Sequence, residues 1–203
     1  MMERDRAAQL VHSWDLNADA WTTSVRGGQI ESRRVATDRA IISAVQSLAP
    51  RSVLDIGCGE GWLCRVLASC GVSVAGVDGA ESLVRAARAA DPAGRYVRLH
   101  YDEFADLVDT AGSGFGVAVF NFSLFDEAVH TVLARTMAAV RPGGAIVIQT
   151  LDQREDDRDG WRTETFACSD TIFPAPMPWY SRSRESWLEI LGELPMEVSR
   201  LTS

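Results

Sequence analysis

The sequence contains no lysine, and its 20 basic residues are therefore all arginine. An amine side chain is required for the Schiff bases of pyridoxal-phosphate enzymes and class I aldolases, so these mechanisms are excluded. The lysine that contacts a nucleotide phosphate in a P-loop is excluded for the same reason. Any chemistry that the chain supports has to depend on other residue types.

Cysteines and long apolar runs are also scarce. The four cysteines (Cys58, Cys64, Cys70 and Cys168) form no C-x-x-C pair and have no histidines at zinc-site spacing. We therefore predict no metal, and free, buried thiols in a reducing cytoplasm. No apolar run is long enough to cross a membrane, and the charged first six residues are not followed by an apolar core. This predicts neither a signal peptide nor a membrane span.

Acidic residues outnumber basic ones by 28 to 20, which gives a net charge of −8. A protein that binds nucleic acid normally carries a basic surface, so we predict no nucleic-acid partner. A small or neutral molecule is more compatible with this balance. With 203 residues, 46% of them hydrophobic, the chain can bury a sizeable core and is expected to form one domain, as a monomer or homodimer.

Short apolar runs alternate with helical periodicity along the chain. Strands are predicted at 52–56, 72–77, 96–99, 116–120 and 145–148, and helices at 35–48, 61–70, 82–90, 126–140 and 183–192. Strands that alternate with helices form a parallel sheet covered on both faces, so we predict a doubly wound, Rossmann-like α/β fold. Such a sheet binds ligands at the carboxyl ends of its strands, next to the first strand.

The first predicted strand runs into a glycine-rich turn that suits a close ligand. Gly57, Gly59 and Gly61 place no Cβ atoms in the path of a ligand that approaches the backbone. A dinucleotide fingerprint needs a further glycine where this chain has Trp62. Asp55, at the end of the strand, would repel a pyrophosphate and attract an ammonium or sulfonium group. The pattern therefore favours a cationic ligand over a dinucleotide.

The pattern Asp55-x-Gly57-x-Gly59-x-Gly61 resembles the first motif of class I S-adenosylmethionine-dependent methyltransferases. Asp78 ends the second strand, where that family has an acid that holds the ribose hydroxyls. The resemblance covers roughly residues 35 to 150 and implies S-adenosyl-L-methionine as cofactor, with S-adenosyl-L-homocysteine as product. It implies that the cofactor is bound by Asp55, Gly57, Cys58, Gly59, Gly61, Asp78, Gly79, Asp102, Glu103, Asn121 and Phe122.

One of these assignments leaves an alternative open, and no catalytic residue is assigned. Asp102 follows the third strand, where the family has an acid that meets the adenine amino group, but it can also cap a helix that starts at Glu103. No side chain stands out as a general base, and none of the three histidines is assigned that role. The catalytic residue is therefore left undefined.

The expected acceptor is a small molecule. Family members that methylate DNA adenine or protein glutamine carry an Asn/Asp-Pro-Pro-aromatic motif after strand four, whereas this chain has Asn121-Phe122-Ser123-Leu124 without prolines. The chain is more similar to the broad group that includes quinone-biosynthesis methyltransferases. An insert at 151–183 is expected to close over the acceptor, although its aromatic residues can also simply pack it onto the core. We predict that the acceptor is bound by Trp21, Arg26, Trp161, Met177, Trp179 and Tyr180.

The predicted organisation has four parts: a polar N-terminal cap segment (1–34), the cofactor-binding core (35–150), the insert or lid (151–183), and a last helix and strand (184–203). The resemblance implies seven strands in the order 3-2-1-4-5-7-6. A sixth strand is expected at 196–201, and the chain stops before a seventh, so we expect a truncated or naturally shortened form.

Two other functions compete with methyl transfer. One is an NAD(P)-dependent oxidoreductase on a similar fold, against which Trp62 and Asp55 argue. The other is a non-catalytic scaffold that retains a cofactor fold. Acids at 55, 78 and 102 favour a cofactor site, but they do not establish turnover.

Overall fold

Helices and parallel strands alternate through most of the computed structural model, which describes residues 2–151, 158–165 and 171–201. The strands are β1 (Ser52–Ile56), β2 (Ser73–Asp78), β3 (Arg95–Arg98), β4 (Phe115–Asn121), β5 (Val140–Gln149), β6 (Gly160–Glu164) and β7 (Met177–Ser181). The α-helices are α1 (Met2–Arg26), α2 (Asp38–Ser47), α3 (Trp62–Ser69), α4 (Glu81–Ala90), α5 (Leu107–Ala111), α6 (Val129–Thr136) and α7 (Arg184–Glu193). A π-helical turn, Arg33–Thr37, precedes α2, and 3₁₀ turns lie at Tyr101–Asp106 and Met137–Ala139.

Five strands form one parallel sheet in the order β3-β2-β1-β4-β5, which is the order predicted for the first five strands. The order reverses between β1 and β4, so a crevice opens at the carboxyl ends of these two strands. Asp55 and Ile56 end β1 at this crevice, Asp78 ends β2 and Asn121 ends β4. The topology therefore brings together residues that are far apart in the sequence.

Both faces of the sheet are buried, because successive side chains of a strand point to opposite faces. Val53 of β1 packs with Ile41 and Leu67 of the helices on one face. Leu54, the next residue, packs with Leu133 and other residues on the opposite face. This double burial explains why the central strands are continuous apolar runs that could be recognised from the sequence.

Residues 2–26 form α1, although no regular structure is predicted for them from the sequence. The buried face of α1 includes polar side chains, so its apolar periodicity is weak. Asn17 is fully buried and satisfied, because its amide donates to Ala175 O (2.8 Å) and accepts from Ala175 N (3.1 Å). Asp15 accepts a hydrogen bond from Ser82 N at the start of α4 (2.9 Å). Tertiary hydrogen bonds therefore hold a helix that sequence periodicity does not reveal.

The expected end of the fold is wrong in two respects. Residues 196–201, predicted as strand six, form no strand, and Val198 and Leu201 are exposed. The prediction of no seventh strand is also wrong, because β6 and β7 form a separate antiparallel pair. This pair lies in the predicted insert, where Trp161 opposes Tyr180, a cross-strand aromatic pair of the kind that stabilises a ribbon.

Smaller differences concern β5 and the cysteines. The run 141–144, which separates the helix predicted at 126–140 from the strand predicted at 145–148, lies inside β5, where the register with β4 shifts between Phe115 and Val117. Cys58 and Cys64 are buried as predicted, Cys70 is exposed, and Cys168 lies outside the described residues. Within residues 2–151, 158–165 and 171–201, no helix is long and apolar enough to cross a membrane, and no group of acids, histidines or cysteines could hold a metal ion.

Candidate functional site

A cavity of about 720 Å³ lies at the crevice where the strand order reverses. This volume is in the range of sites that hold a cofactor or a drug-sized ligand. Residues of α1 and β7 form part of its wall together with the ends of β1, β2 and β4. Of the predicted site residues, the cavity is lined by Trp21, Asp55, Gly57, Cys58, Gly59, Asp78, Gly79, Asn121, Phe122, Met177 and Trp179. The six other predicted site residues are described but do not line it: Arg26, Gly61, Asp102, Glu103, Trp161 and Tyr180.

The turn after β1 presents its backbone to the cavity. The amides of Gly57 and Cys58 both donate to Val77 O (2.8 and 3.0 Å), which fixes the turn against the end of β2. Gly59 has φ +56°, and the only atom within 4 Å of a Cβ there would be Trp21 Nε1 at 3.7 Å. A glycine at 59 therefore leaves the space beside the loop open to a ligand.

Gly61 has a packing role instead of a lining role. It precedes α3 with φ +81°, and a Cβ there would come within 2.8 Å of Tyr96 Cε1 and 3.0 Å of Ala87 Cβ. Tyr96 belongs to β3 and Ala87 belongs to α4. Gly61 thus allows the start of α3 to pack closely against β3 and α4. The spacing of the glycines in the sequence does not show whether a given glycine serves packing or ligand binding.

Asp55 is the most unusual residue of the cavity. Its side chain is buried, Oδ2 accepts a hydrogen bond from the Cys64 thiol (3.3 Å), and Oδ1 is buried without a partner. Burial raises the pKa of Asp55 to about 7, and the nearby charge of Asp78 adds to the effect, while the Cys64 thiol opposes it. A buried carboxylate oxygen without a donor is costly, so a ligand that donates to it would be bound strongly.

Asp78 fixes the loop and still offers acceptor capacity. Its Oδ2 accepts from Gly59 N and its Oδ1 from Ala80 N, both at 2.8 Å. Burial raises the pKa of Asp78 to about 6, against the effect of these two hydrogen bonds. Each carboxylate oxygen can accept a second hydrogen bond, so two hydroxyl groups of a ligand could still be held.

The end of β4 forms the opposite wall. Asn121 Oδ1 is buried without a hydrogen-bond partner, and Phe122 has φ +52°, a strained backbone conformation for this residue. Ser123 Oγ donates to Ile56 O (2.6 Å), and Tyr101 Oη donates to Ser123 O (2.9 Å). These bonds tie the end of β4 to the end of β1.

Asp102 and Glu103 are not brought to the cavity. His100 is the N-cap of the 3₁₀ turn, and its Nδ1 accepts from Asp102 N (3.2 Å), so the alternative that Asp102 caps a helix is wrong. The Asp102 side chain is 84% exposed. Glu103 accepts from His100 N and from Arg98, and the His100 amide in particular lowers its pKa. The Glu103 carboxylate therefore serves the capping box, whereas Asp102 contributes only its backbone amide and its side chain faces solvent.

The predicted acceptor residues divide into two groups. Trp21, Met177 and Trp179 line the cavity. Trp161 and Tyr180 pack edge to face with each other (5.6 Å between ring centroids) elsewhere on the β6–β7 ribbon. Arg26 donates to Glu60 Oε2 (2.7 Å) and to Ala86 O (3.1 Å), so it anchors the end of α1.

Several lining residues are not predicted from the sequence, among them Arg33, Tyr101, Phe125 and Asp126. Trp14, expected with Trp21 and Arg26 to cover the cofactor, lines the cavity and lies seven residues before Trp21, two helical turns along the same face. Phe125 and Asp126 directly follow the segment 121–124 that the sequence analysis did single out. Arg33 had no signal, because its position depends on the π-helical turn before α2.

Glu60 couples α1 to the glycine loop, and its removal is expected to loosen this wall. Its buried carboxylate accepts from Arg26 (2.7 Å) and Arg65 (2.8 Å). We expect Glu60→Gln to lower the free energy of unfolding by about 1–2 kcal/mol, because the charged hydrogen bonds are lost while the arginines can still reach water. Amide hydrogen exchange should become faster in the last turns of α1.

The matched control for this prediction is Glu81→Gln. Glu81 forms an exposed ion pair with Arg88 at 3.6 Å, which should contribute less than about 0.5 kcal/mol. Equal effects of the two substitutions on unfolding, or unchanged exchange in α1 of the Glu60 variant, would contradict the coupling.

Comparison with known proteins gives a family match over most of the chain. The model of a family described as "Methyltransferase domain" matches residues 31–195. The chain is 35% identical over 111 residues to a ubiquinone biosynthesis O-methyltransferase of Sinorhizobium medicae (strain WSM419), which covers 53% of this chain and 44% of that relative. It is 27% identical over 170 residues to a trans-aconitate 2-methyltransferase of Rhodopseudomonas palustris (strain BisB5), which covers 77% of this chain and 65% of that relative. The chain thus spans less than two thirds of the length of these relatives.

A solved structure shares the fold. The 1,6-didemethyltoxoflavin-N1-methyltransferase of Burkholderia thailandensis, with bound 1,6-didemethyltoxoflavin and S-adenosylhomocysteine, superposes with a TM-score of 0.59 at 21% identity. The match covers 94% of this chain and 82% of that chain. The β3-β2-β1-β4-β5 sheet with helices on both faces is therefore an architecture already known in solved proteins.

Proposed function

This chain belongs to the methyltransferase domain family, as its sequence resemblance predicted, and we propose that it transfers a methyl group from S-adenosylmethionine to a small-molecule acceptor. The observation that carries the proposal is the buried Asp55 carboxylate, whose Oδ1 has no partner among the described residues and whose side chain lines the cavity. An ammonium group would both neutralise this carboxylate and satisfy its oxygen.

The described residues fit the cofactor. Asp55 would hold the ammonium of its methionine part, and Asn121 Oδ1, also buried without a partner, would accept a further hydrogen bond. Asp78 would accept hydrogen bonds from the two ribose hydroxyls. Gly59 has no side chain, so it leaves room for the part of the cofactor that passes the loop. Asp102 and Glu103 are left out of this set, because the Glu103 carboxylate belongs to the capping box and the Asp102 side chain is exposed to solvent.

When bound, S-adenosylmethionine supplies an activated methyl group on its sulfonium. The part left to the protein is to align the acceptor and to exclude water. The helix α1 and the ribbon β6–β7 contribute Trp21, Met177 and Trp179 to the cavity wall, which supports a role of both elements in covering the site. A general base is required only for an acceptor that loses its proton early.

Trp62 supports this proposal over the oxidoreductase alternative. It occupies the place of the third glycine of a dinucleotide fingerprint and lines the cavity itself, with the Arg33 guanidinium 4.4 Å above its ring. An indole at this position cannot give the close helix–strand packing that the glycine of a dinucleotide fingerprint provides, and Asp55 would repel the phosphates.

Calorimetry with S-adenosylhomocysteine and, separately, with NADH tests the proposal. We expect S-adenosylhomocysteine to bind and NADH not to bind. Binding of NADH alone would support the oxidoreductase. Turnover is tested by incubation of the protein with methyl-labelled S-adenosylmethionine and a metabolite extract, and reproducible failure to label any product would favour the scaffold.

The affinity for S-adenosylhomocysteine is expected to fall at least about tenfold between about pH 8 and about pH 5.5. Asp55 and Asp78, with pKa values raised to about 7 and about 6, take up protons across this range. A neutral Asp55 no longer attracts the ammonium, and a neutral Asp78 accepts the ribose hydroxyls less strongly. Calorimetry at a series of pH values measures the effect. An affinity that does not change over this range would show that neither carboxylate binds the ligand in its charged form.

A cytoplasmic location, the absence of a nucleic-acid partner and a monomeric or homodimeric state stay predictions from the composition. The net charge of −8 supports the second of these.

A further inference from the structure

One wall of the cavity is built from aromatic and sulfur-containing side chains. Leu10, Phe125 and Met177 form a buried cluster, and Trp14, Phe122 and Trp179 pack against it. The rings of Phe125 and Trp179 meet edge to face, with their centroids 6.0 Å apart. A wall of rings and a thioether offers dispersion contacts to a flat apolar ligand and few hydrogen bonds, so it suits an aromatic body.

The charges around the cavity have predominantly one sign. Among the described lining residues, the carboxylates are Glu31, Asp55, Asp78, Asp126 and Glu164, whereas the only arginine is Arg33. Arg33 Nε is 2.9 Å from Asp38 Oδ1, and its guanidinium stacks on Trp62, so its charge is already neutralised within the protein. The other basic group, His100, accepts the Asp102 amide at Nδ1. With the cofactor ammonium on Asp55, the cavity is still lined by Glu31, Asp126 and Glu164, and an anionic acceptor would meet no arginine among the described lining residues other than the already paired Arg33.

Asp126 is the polar group that stands beside the aromatic wall. Its side chain is only 9% exposed and lines the cavity next to Phe125. Its hydrogen bond within the described chain is the one that Oδ1 accepts from Ala128 N (3.0 Å), which leaves Oδ2 for a ligand. A carboxylate so deeply buried is stabilised strongly by any donor that reaches it.

Arg182 attracts the Asp126 charge but donates no hydrogen bond to its carboxylate within the described residues. Arg182 donates to the main-chain carbonyls of Asp126 (3.2 Å) and Glu127, and its guanidinium lies 4.5 Å from the Tyr180 ring. Its donors therefore face the backbone behind the cavity, and Arg182 itself does not line the cavity.

We infer that the acceptor is a neutral or cationic aromatic compound whose N–H or O–H group donates to the Asp126 carboxylate, and that acceptors with a carboxylate or phosphate are excluded. This rests on the proposed function, because it assigns the acceptor of the same cavity. The aromatic wall orients the ring of the acceptor, and Asp126 binds its N–H or O–H group. The surrounding acids favour a neutral or positively charged acceptor over a negatively charged one.

The test uses three probes of one shape: para-hydroxybenzylamine, para-hydroxybenzyl alcohol and para-hydroxybenzoate. Their binding to the protein saturated with S-adenosylhomocysteine is measured by saturation-transfer NMR titration. We expect the amine to bind most tightly and the benzoate at least about tenfold more weakly. Asp126→Asn should weaken the amine about tenfold, change the alcohol less, and improve the benzoate, because the charge is removed while an oxygen that can accept Ala128 N is kept.

Glu127→Gln is the matched control, since Glu127 adjoins Asp126 but does not line the cavity, and it should leave the order of the probes unchanged. Retained binding of S-adenosylhomocysteine by both variants shows that they fold. The inference is overturned if the benzoate binds as tightly as the amine, if Asp126→Asn affects the three probes equally, or if none of them binds. Failure of S-adenosylhomocysteine to bind the unaltered protein would instead remove the proposed function.

Discussion

Asp55→Asn is expected to weaken the binding of S-adenosylhomocysteine about 10- to 100-fold at pH 8 and, at the same time, to stabilise the ligand-free protein. The first effect follows from the loss of a charge-assisted hydrogen bond at a buried oxygen that the chain itself leaves without a partner. The second follows from removal of a buried charge. A residue with a purely structural role would lower stability and affinity together.

The stabilisation depends on pH in a defined direction. The pKa of Asp55 is raised by burial to about 7, so between about pH 4 and pH 7 the folded protein holds a proton that the unfolded chain has already released. The free energy of unfolding therefore decreases as the pH rises through this window, and the cost is fully present above pH 7. Asparagine carries no charge, so the variant should be more stable by up to about 4 kcal/mol at pH 8, with little difference near pH 4.

Urea unfolding at pH 4.5 and pH 8, with calorimetry at pH 8, measures both effects. Asp106→Asn is the control, because Asp106 is exposed and outside the cavity, and it should change neither quantity. Destabilisation of the Asp55 variant at pH 8, or an unchanged affinity, would show that the buried carboxylate serves the fold and not a ligand.

Asp55 also shows how much of the site the sequence could predict. Its strand is an apolar run buried on both faces, so its position and its end could be recognised from periodicity, and the order of the parallel strands followed from the alternation with helices. A carboxylate at such an end has few explanations other than a ligand. The acids and glycines at the ends of β1 and β2 were therefore accessible to sequence reasoning.

Other residues depend on contacts that the sequence does not reveal. Gly59 and Gly61 belong to one motif, but their surroundings differ. Gly61 packs closely against Tyr96, whereas Gly59 lies beside the open cavity. Asp102 lies at the family position for an adenine contact, but the ring nitrogen of His100 takes its amide and leaves its side chain in solvent. The position of such side chains is set by neighbours from distant segments.

Gly57→Ala is expected to destabilise the protein by about 2–5 kcal/mol, the largest effect of a single methyl group in the site. Gly57 has φ +74°, and a Cβ there would lie 2.2 Å from Ser123 Cβ and 2.8 Å from Ser123 Oγ. Ser123 cannot easily move away, because its Oγ donates to Ile56 O (2.6 Å) and its carbonyl accepts from Tyr101 Oη (2.9 Å). The strain therefore forces the ends of β1 and β4 apart, where the cavity begins.

Two further variants separate the backbone cost from the collision. Gly71→Ala has the same kind of backbone, with φ +82°, but nothing lies within 4 Å of its Cβ, so it should cost only about 1 kcal/mol. Ser123→Gly removes the atoms that collide, so the double variant Gly57→Ala/Ser123→Gly should be more stable than the sum of the two single effects by about 1–2 kcal/mol. Urea unfolding of the four variants measures this coupling. Gly57 follows β1 and Ser123 follows β4, and the two residues are in contact where the cavity begins. If the effects of the two substitutions on the free energy of unfolding were strictly additive, the ends of these strands would not be coupled at this point.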